Sequence, residues 1–151
     1  MSNRPILVTG ASGFIGRQVV RMLSRQGRRL RILDLRLPQE FAAGHEVFEG
    51  SVADRDLVRR AVSGSGGIIH LAHMIDIDGE RPFDSIDVNI AGTANVFRAA
   101  LDGGIRRVVW ASSVMTYGAP ADGAPASETF NQAPGTFYGA GKLFLEYLGQ
   151  S

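Results

Sequence analysis

Short apolar runs alternate along this chain with stretches whose apolar residues recur at helical spacing. Residues 5–9 (PILVT) are such a run, ending at Gly10, the pattern of a strand buried on both faces. Residues 14–26 carry Ile15, Val19, Val20 and Leu23 on one helical face, and Gly27 closes that helix. Residues 29–35 (RLRILDL) read as a second strand and residues 45–49 (HEVFE) as a weaker third. Asp54 has the side chain of an N-cap for a helix through Val62. Residues 67–72 (GIIHLA) are a fourth buried strand. Residues 83–101 form a long helix with Val88, Ala91, Val96 and Ala100 among its apolar positions, stopped by Asp102-Gly103-Gly104. Residues 107–112 (RVVWAS) make a fifth strand, residues 118–136 a surface loop rich in Pro, Gly, Ala, Ser and Asp, and residues 137–148 a last helix.

Strands that alternate with helices build parallel β-α-β units, and right-handed crossovers wind them into a doubly wound α/β sheet of the Rossmann type. The expected strand order is 3-2-1-4-5, with residues 1–151 as one dinucleotide-binding domain. The ligand would lie across the ends of strands 1 and 4.

The connection between the first strand and first helix is Gly10-Ala-Ser-Gly13-Phe-Ile-Gly16. Gly10 permits a tight turn, Gly13 lets the backbone approach a pyrophosphate, and Gly16 lets the helix pack close to the sheet. The helix N-terminus offers free N–H groups and partial positive charge to phosphates. Asp34, ending the second strand, can accept hydrogen bonds from ribose hydroxyls and would repel a 2′-phosphate. That favours NAD, while Arg36 close by keeps NADP open. A glycine turn with a purely structural role is the competing reading.

Composition adds mainly exclusions. The chain is 44% apolar and 21% charged, as in ordinary soluble domains. A net charge of +1 gives no excess for nucleic acid or a membrane surface, and neither partner is expected. Arg25, Arg28, Arg29 and Arg31 read as a solvated helix end. The chain has no cysteine, which excludes disulfides, thiolate metal sites and a Cys nucleophile and fits a reducing cytoplasm. The first apolar run is too short for a signal peptide or membrane span, so a cytoplasmic protein is expected. Nothing in the sequence indicates a metal site.

Five segments, in order, carry a resemblance: Thr9-Gly10-Ala-Ser-Gly13-Phe-Ile-Gly16, His70-Leu71-Ala72, Asn89-Ile-Ala-Gly92-Thr93, Ser112-Ser113-Val-Met-Thr-Tyr117-Gly118 and Tyr138-Gly-Ala-Gly-Lys142. Together they resemble the extended short-chain dehydrogenase/reductases, the NAD-dependent epimerase/dehydratase family. The resemblance implies that Ser113, Tyr138 and Lys142 form a catalytic set, with Tyr138 as general acid/base and Lys142 its helper. The residue types suit that work. A tyrosine hydroxyl is a poor base at neutral pH, and a nearby ammonium stabilises its phenolate. Positions i and i+4 share a helix face, so Lys142 can lie beside Tyr138. Lys142 could also hold the nicotinamide ribose, and Ser113 would hydrogen-bond the substrate oxygen. A surface Tyr–Lys pair and an ordinary strand-end serine are the bland alternatives.

The resemblance further implies cofactor contacts from Phe14, Ile15, Ser51, Val52, Leu71, Ala72, His73, Asn89, Tyr138 and Lys142. Asn89 is expected to bond backbone near the fourth strand, an exposed helix asparagine being the alternative. His70 reads as a satisfied core histidine. Ser51 stands where the family often has an Asp that meets the adenine amine, and Gly141 replaces a small hydroxyl residue before Lys142. Family members are also longer, and the remainder supplies further strands and a substrate-binding domain. The expectation is therefore a chain truncated to its Rossmann part, with C-terminal strands and substrate domain absent and apolar surface left uncovered. The helices at 83–101 and 137–148 commonly form the family's dimer interface. Leu143, Phe144, Tyr147 and Leu148 need burial, so a homodimer or higher oligomer is expected. The implied function is an NAD-dependent sugar-nucleotide epimerase, dehydratase or related oxidoreductase acting on a hydroxyl or carbonyl substrate. The alternatives are a non-catalytic NAD-binding protein or fragment lacking the substrate domain, and an accessory subunit completed by another polypeptide.

Overall fold

The structure, a computed structural model, describes residues 4–37, 41, 44–76, 80–118, 125, 127 and 132–150. The chain divides into two compact units, Met1–Trp110 and Ala111–Ser151. In the first, β1 (Ile6–Thr9), β2 (Leu30–Asp34), β3 (Glu46–Glu49), β4 (Gly67–His70) and β5 (Val108–Trp110) form one parallel sheet. Its order is β3-β2-β1-β4-β5, the expected doubly wound arrangement. In register, β1 places Ile6 between Leu30 and Gly67, and Thr9 between Leu33 and His70. The parallel strands thus end at one edge of the sheet, where the glycine loop begins.

Neighbouring residues in a strand point to opposite faces, so the near-continuous apolar runs feed two cores. Val8, Leu30 and Ile32 pack with Val20 and Leu23 of α1 (Phe14–Arg25) on one face. Leu7, Leu33 and Ile68 pack on the other, with Val58, Ala61 and Val62 of α2 (Arg55–Val62). Val96, Ala99 and Ala100 of a later helix complete this second core. Asp54 caps α2 as its sequence predicts, accepting from the amides of Asp56 (3.0 Å) and Leu57 (2.9 Å). The other end of α2 is closed from outside the helix. Arg31 on β2 reaches the carbonyls of Ala61 (3.1 Å) and Ser63 and makes a two-pronged pair with Glu46 at 2.7 and 2.9 Å. The reading of this arginine as part of a solvated end is corrected: its side chain is largely buried, over Phe48.

The long helix expected over 83–101 is three pieces: α3 (Pro82–Ser85), a π-helical stretch (Ile86–Ala91) and α4 (Gly92–Asp102). The Thr93 hydroxyl donates to the Asn89 carbonyl at 2.7 Å, within the stretch where the α-helical ladder is interrupted. The strands, too, are one to three residues shorter than the apolar runs. At β4 the cause is local: the Leu71 amide is shared between the Thr9 carbonyl (3.1 Å) and the Thr9 hydroxyl (3.2 Å), and the Ala72 amide turns to that hydroxyl at 3.2 Å.

The second unit holds a 3₁₀ turn (Val114–Thr116) and α5 (Phe137–Gln150). The predicted 118–136 loop lies largely outside the described residues. Among the described residues, no helix is long and apolar enough to cross a membrane.

Candidate functional site

The glycine loop is crowded by its own backbone. Gly10 has φ +69°, and a Cβ there would lie 2.4 Å from the Ala72 nitrogen. A Cβ on Gly16 would lie 2.1 Å from the Gly10 oxygen and 2.7 Å from the Ala11 Cα. Gly16 therefore permits the close approach of α1 to the backbone of Gly10 and Ala11, the loop that leaves the sheet. Gly13 differs. It is exposed, and a Cβ there would meet only the Gly10 oxygen, at 3.3 Å. Gly13 caps α1 with no side chain, and the first helical turn carries no acid. The first-turn amides are thus directed at the space beside Gly13, the arrangement that receives an anion. Phe14 and Ile15 flank that space, 88% and 58% exposed.

Asp34 is tied to the same loop. Its Oδ2 accepts from the Ser12 amide at 2.8 Å, and the Ser12 hydroxyl donates to the Arg36 carbonyl. The carboxylate keeps lone pairs beyond those bonds. Ser51 and Val52 follow β3 at the same sheet edge. The Ser51 hydroxyl accepts from the Ala53 amide at 3.1 Å. Val52 is buried, and a Cβ on Gly92 would lie 2.6 Å from its Cγ2, so its side chain faces packed interior.

Residues 71–74 leave β4 across the glycine loop and include the half-buried Leu71, Ala72 and His73. Asn89, from the π-helical stretch, grips the peptide of Met74. Its Oδ1 accepts from Met74 N at 2.8 Å, and its Nδ2 donates to Met74 O at 2.9 Å and to Ser85 Oγ at 2.8 Å. The expectation that Asn89 bonds backbone near the fourth strand is met. His70 is buried between Thr9 (2.6 Å) and Thr93 (3.0 Å).

In the second unit Ser113 opens the 3₁₀ turn, its hydroxyl accepting from the Met115 amide at 3.2 Å. That turn packs on α5 where Gly139 stands: a Cβ there would lie 2.0 Å from the Met115 carbonyl oxygen. The glycine beside Tyr138, unfavourable to a helix by propensity, is what lets the Ser113 turn and the Tyr138 helix meet. Lys142 is 7% exposed; its Nζ donates to the Ala111 carbonyl at 2.7 Å and lies 5.9 Å from the centroid of the Tyr138 ring. Burial pushes the Lys142 ammonium down to about 8. Ser112 bonds Glu146, which also accepts from Gln132 at 2.8 Å.

Sequence reasoning quoted Thr9, Ser12 and Thr93 within motifs but gave them no role, and it missed the Ala111 carbonyl. A groove of about 590 Å³ at the opposite ends of the strands, among Arg4, Arg28, Arg106 and Arg107 with Ile6 and Val109, contains none of the expected site residues.

Residues 6–151 match the model of the NAD dependent epimerase/dehydratase family. The chain is 31% identical over 152 residues to a UDP-glucose 4-epimerase of Streptomyces lividans, covering 94% of this chain and 45% of that one. It is 36% identical over 129 residues to 3 beta-hydroxysteroid dehydrogenase type 7 of Mus musculus, covering 79% of this chain and 35% of the mouse protein. Among solved structures, a short-chain dehydrogenase/reductase superfamily protein from Agrobacterium tumefaciens with bound NAD superposes with a TM-score of 0.85 at 35% identity. That match covers 95% of this chain and 43% of the other. The chain thus spans less than half the length of these relatives.

Proposed function

The chain belongs to the NAD-dependent epimerase/dehydratase family, and from that membership we propose that it binds NAD through its glycine loop and serves oxidation of a hydroxyl-bearing substrate. The observation that carries the cofactor reading is the open space at Gly13, framed by a loop too tight at Gly10 and Gly16 for any side chain. An anionic pyrophosphate suits the α1 amides there. Asp34, oriented by the Ser12 amide, would meet the adenosine ribose and disfavour a 2′-phosphate. Phe14, Ile15, Ser51, Leu71, Ala72, His73 and Asn89 complete the proposed contacts, with Val52 acting from the core beneath.

NAD, when bound, supplies hydride transfer. The acid/base work falls to the second unit. The Lys142 ammonium stabilises Tyr138 as its phenolate, which takes the proton of the substrate hydroxyl and becomes the neutral phenol, while Ser113 hydrogen-bonds the substrate oxygen. The Ala111 carbonyl fixes the Lys142 side chain in place. The likeness to a UDP-glucose 4-epimerase supports a sugar nucleotide as substrate. The steroid dehydrogenase likeness makes a hydroxysteroid the competing class.

Phe144 and Tyr147 on α5 are 53% and 64% exposed, which supports burial of this helix against a second copy. Sedimentation should then give a dimer or larger species, and a well-behaved monomer at micromolar concentration sinks that part of the reading. Calorimetric titration with NAD and NADP tests the cofactor assignment, with NAD expected to bind more tightly. Absence of heat with either dinucleotide overturns it. Binding without turnover of nucleotide sugars or hydroxysteroids would leave a dinucleotide-binding protein that is not an enzyme.

A further inference from the structure

Thr9, His70 and Thr93 are 0–2% exposed and form a hydrogen-bond chain whose direction is fixed by the number of protons available. A hydroxyl has one proton to give and two lone pairs to receive. Thr9 Oγ1 receives the Ala72 amide at 3.2 Å and shares the Leu71 amide with the Thr9 carbonyl (3.2 and 3.1 Å), which leaves its proton for His70 Nδ1 at 2.6 Å. At the other side, the Thr93 proton goes to the Asn89 carbonyl at 2.7 Å, an atom that can only accept. Thr93 Oγ1 therefore receives from His70 Nε2 at 3.0 Å. The Thr93 end places a proton on Nε2, and in a neutral buried imidazole Nδ1 is then the acceptor of the Thr9 hydroxyl.

This chain ends on both sides at the segment 71–74. Thr9 holds the amides of Leu71 and Ala72, and the Asn89 side chain holds both polar groups of the Met74 peptide. The Leu71–Ala72 backbone is also what a Cβ on Gly10 would strike. We propose that His70 is a positioning residue: its bare Nδ1 orients the Thr9 hydroxyl, which seats segment 71–74 against the glycine loop in the geometry that receives the dinucleotide. The inference rests on reading the loop as the NAD site. A buried histidine of purely space-filling role would serve equally well as an aromatic of similar shape. A positioning role demands an acceptor at Nδ1 in particular.

The test uses the whole chain and two readouts. Nitrogen-15 NMR of the histidine-labelled wild type should show His70 protonated at Nε2 and bare at Nδ1. An Nδ1–H tautomer, or an imidazolium at neutral pH, overturns the proposal. Calorimetry then compares His70→Phe, His70→Asn and His70→Gln at matched melting temperature. Asn places an acceptor oxygen near the Nδ1 position, and Gln places a donor near Nε2. His70→Phe should weaken NAD binding about tenfold or more, the scale of one misplaced buried polar contact. His70→Asn should recover most of that loss and His70→Gln little of it. Affinity retained by His70→Phe, or equal rescue by Gln, overturns the positioning role. If the wild type binds no NAD, the site assignment fails and the positioning role with it. The tautomer, measured in the same sample, still reports whether the hydrogen-bond chain was read correctly. Should the variants fail to fold, the wild-type tautomer alone decides.

Discussion

In the proposed function the glycine loop and the Tyr138 helix work by opposite means. The loop depends on atoms that are missing: Gly10 and Gly16 leave no room for a methyl against Ala72, Ala11 and the loop's own carbonyl. The second unit depends on atoms that are present, namely the Tyr138 hydroxyl, the Lys142 ammonium and the Ser113 hydroxyl. One region is broken by adding a carbon, the other by removing a functional group. A cradle for an anion can be written largely in backbone, whereas proton transfer needs particular side chains.

The largest effect should come from the loop. Gly16→Ala places carbon against backbone that has nowhere to go, and should abolish NAD binding or folding altogether. Gly13→Ala should leave thermal unfolding close to wild type and weaken NAD alone, because its Cβ meets a single oxygen at 3.3 Å. Paired melting curves and titrations check both, and equal behaviour of the two variants would erase the distinction. Next, Tyr138→Phe should lower turnover by about 10²–10⁴-fold, the usual worth of a positioned acid/base, while NAD binding stays measurable. Initial rates with nucleotide sugars and hydroxysteroids decide it.

Lys142 yields a smaller, pH-dependent effect. Its folded value of about 8 lies below the ordinary 10.5, so between the two the unfolded chain holds a proton that the folded chain has released. Stability linked to Lys142 therefore rises with pH across that interval, and the burial penalty is fully present below it. Urea midpoints should rise from pH 8 to pH 10 in the wild type relative to Lys142→Met. A parallel pair of pH profiles would show that burial does not perturb this amine. Smallest of all, Asp54→Ala removes the α2 cap and should cost about 1 kcal/mol in chemical denaturation, without touching NAD affinity.

The sheet order was legible because each strand is a short apolar run and each helix shows a recurring apolar face. Those signals survive any detail of side-chain bonding. The geometry of the Gly10–Asp34 loop was legible because its demands fall on single residues at set places. What escaped notice acts across space. Apolar spacing over residues 83–101 is the same for an α-helix and for one interrupted by a π-helical stretch, and only the folded backbone over Ile86–Ala91 reveals the difference. Arg31 looked solvated because Glu46 and the α2 carbonyls are distant in sequence. The spacing of Tyr138 and Lys142 pointed to each other, but not to the Ala111 carbonyl that holds the amine.

The span of chain closed by each tie bears on the order of assembly. Arg31 reaches Glu46 across 15 residues, whereas Thr9 reaches His70 across 61. Longer closures lose more chain entropy and tend to form later. The β2–β3 edge with α2 is therefore expected to assemble early, and the docking of β4 beside β1 late. The floor of the glycine loop belongs to that late step. Substitutions at Thr9 or His70 should accordingly quicken unfolding and leave the refolding rate nearly unchanged, as contacts absent from the transition state do. In kinetic terms the proposed NAD cradle is finished last and opens first.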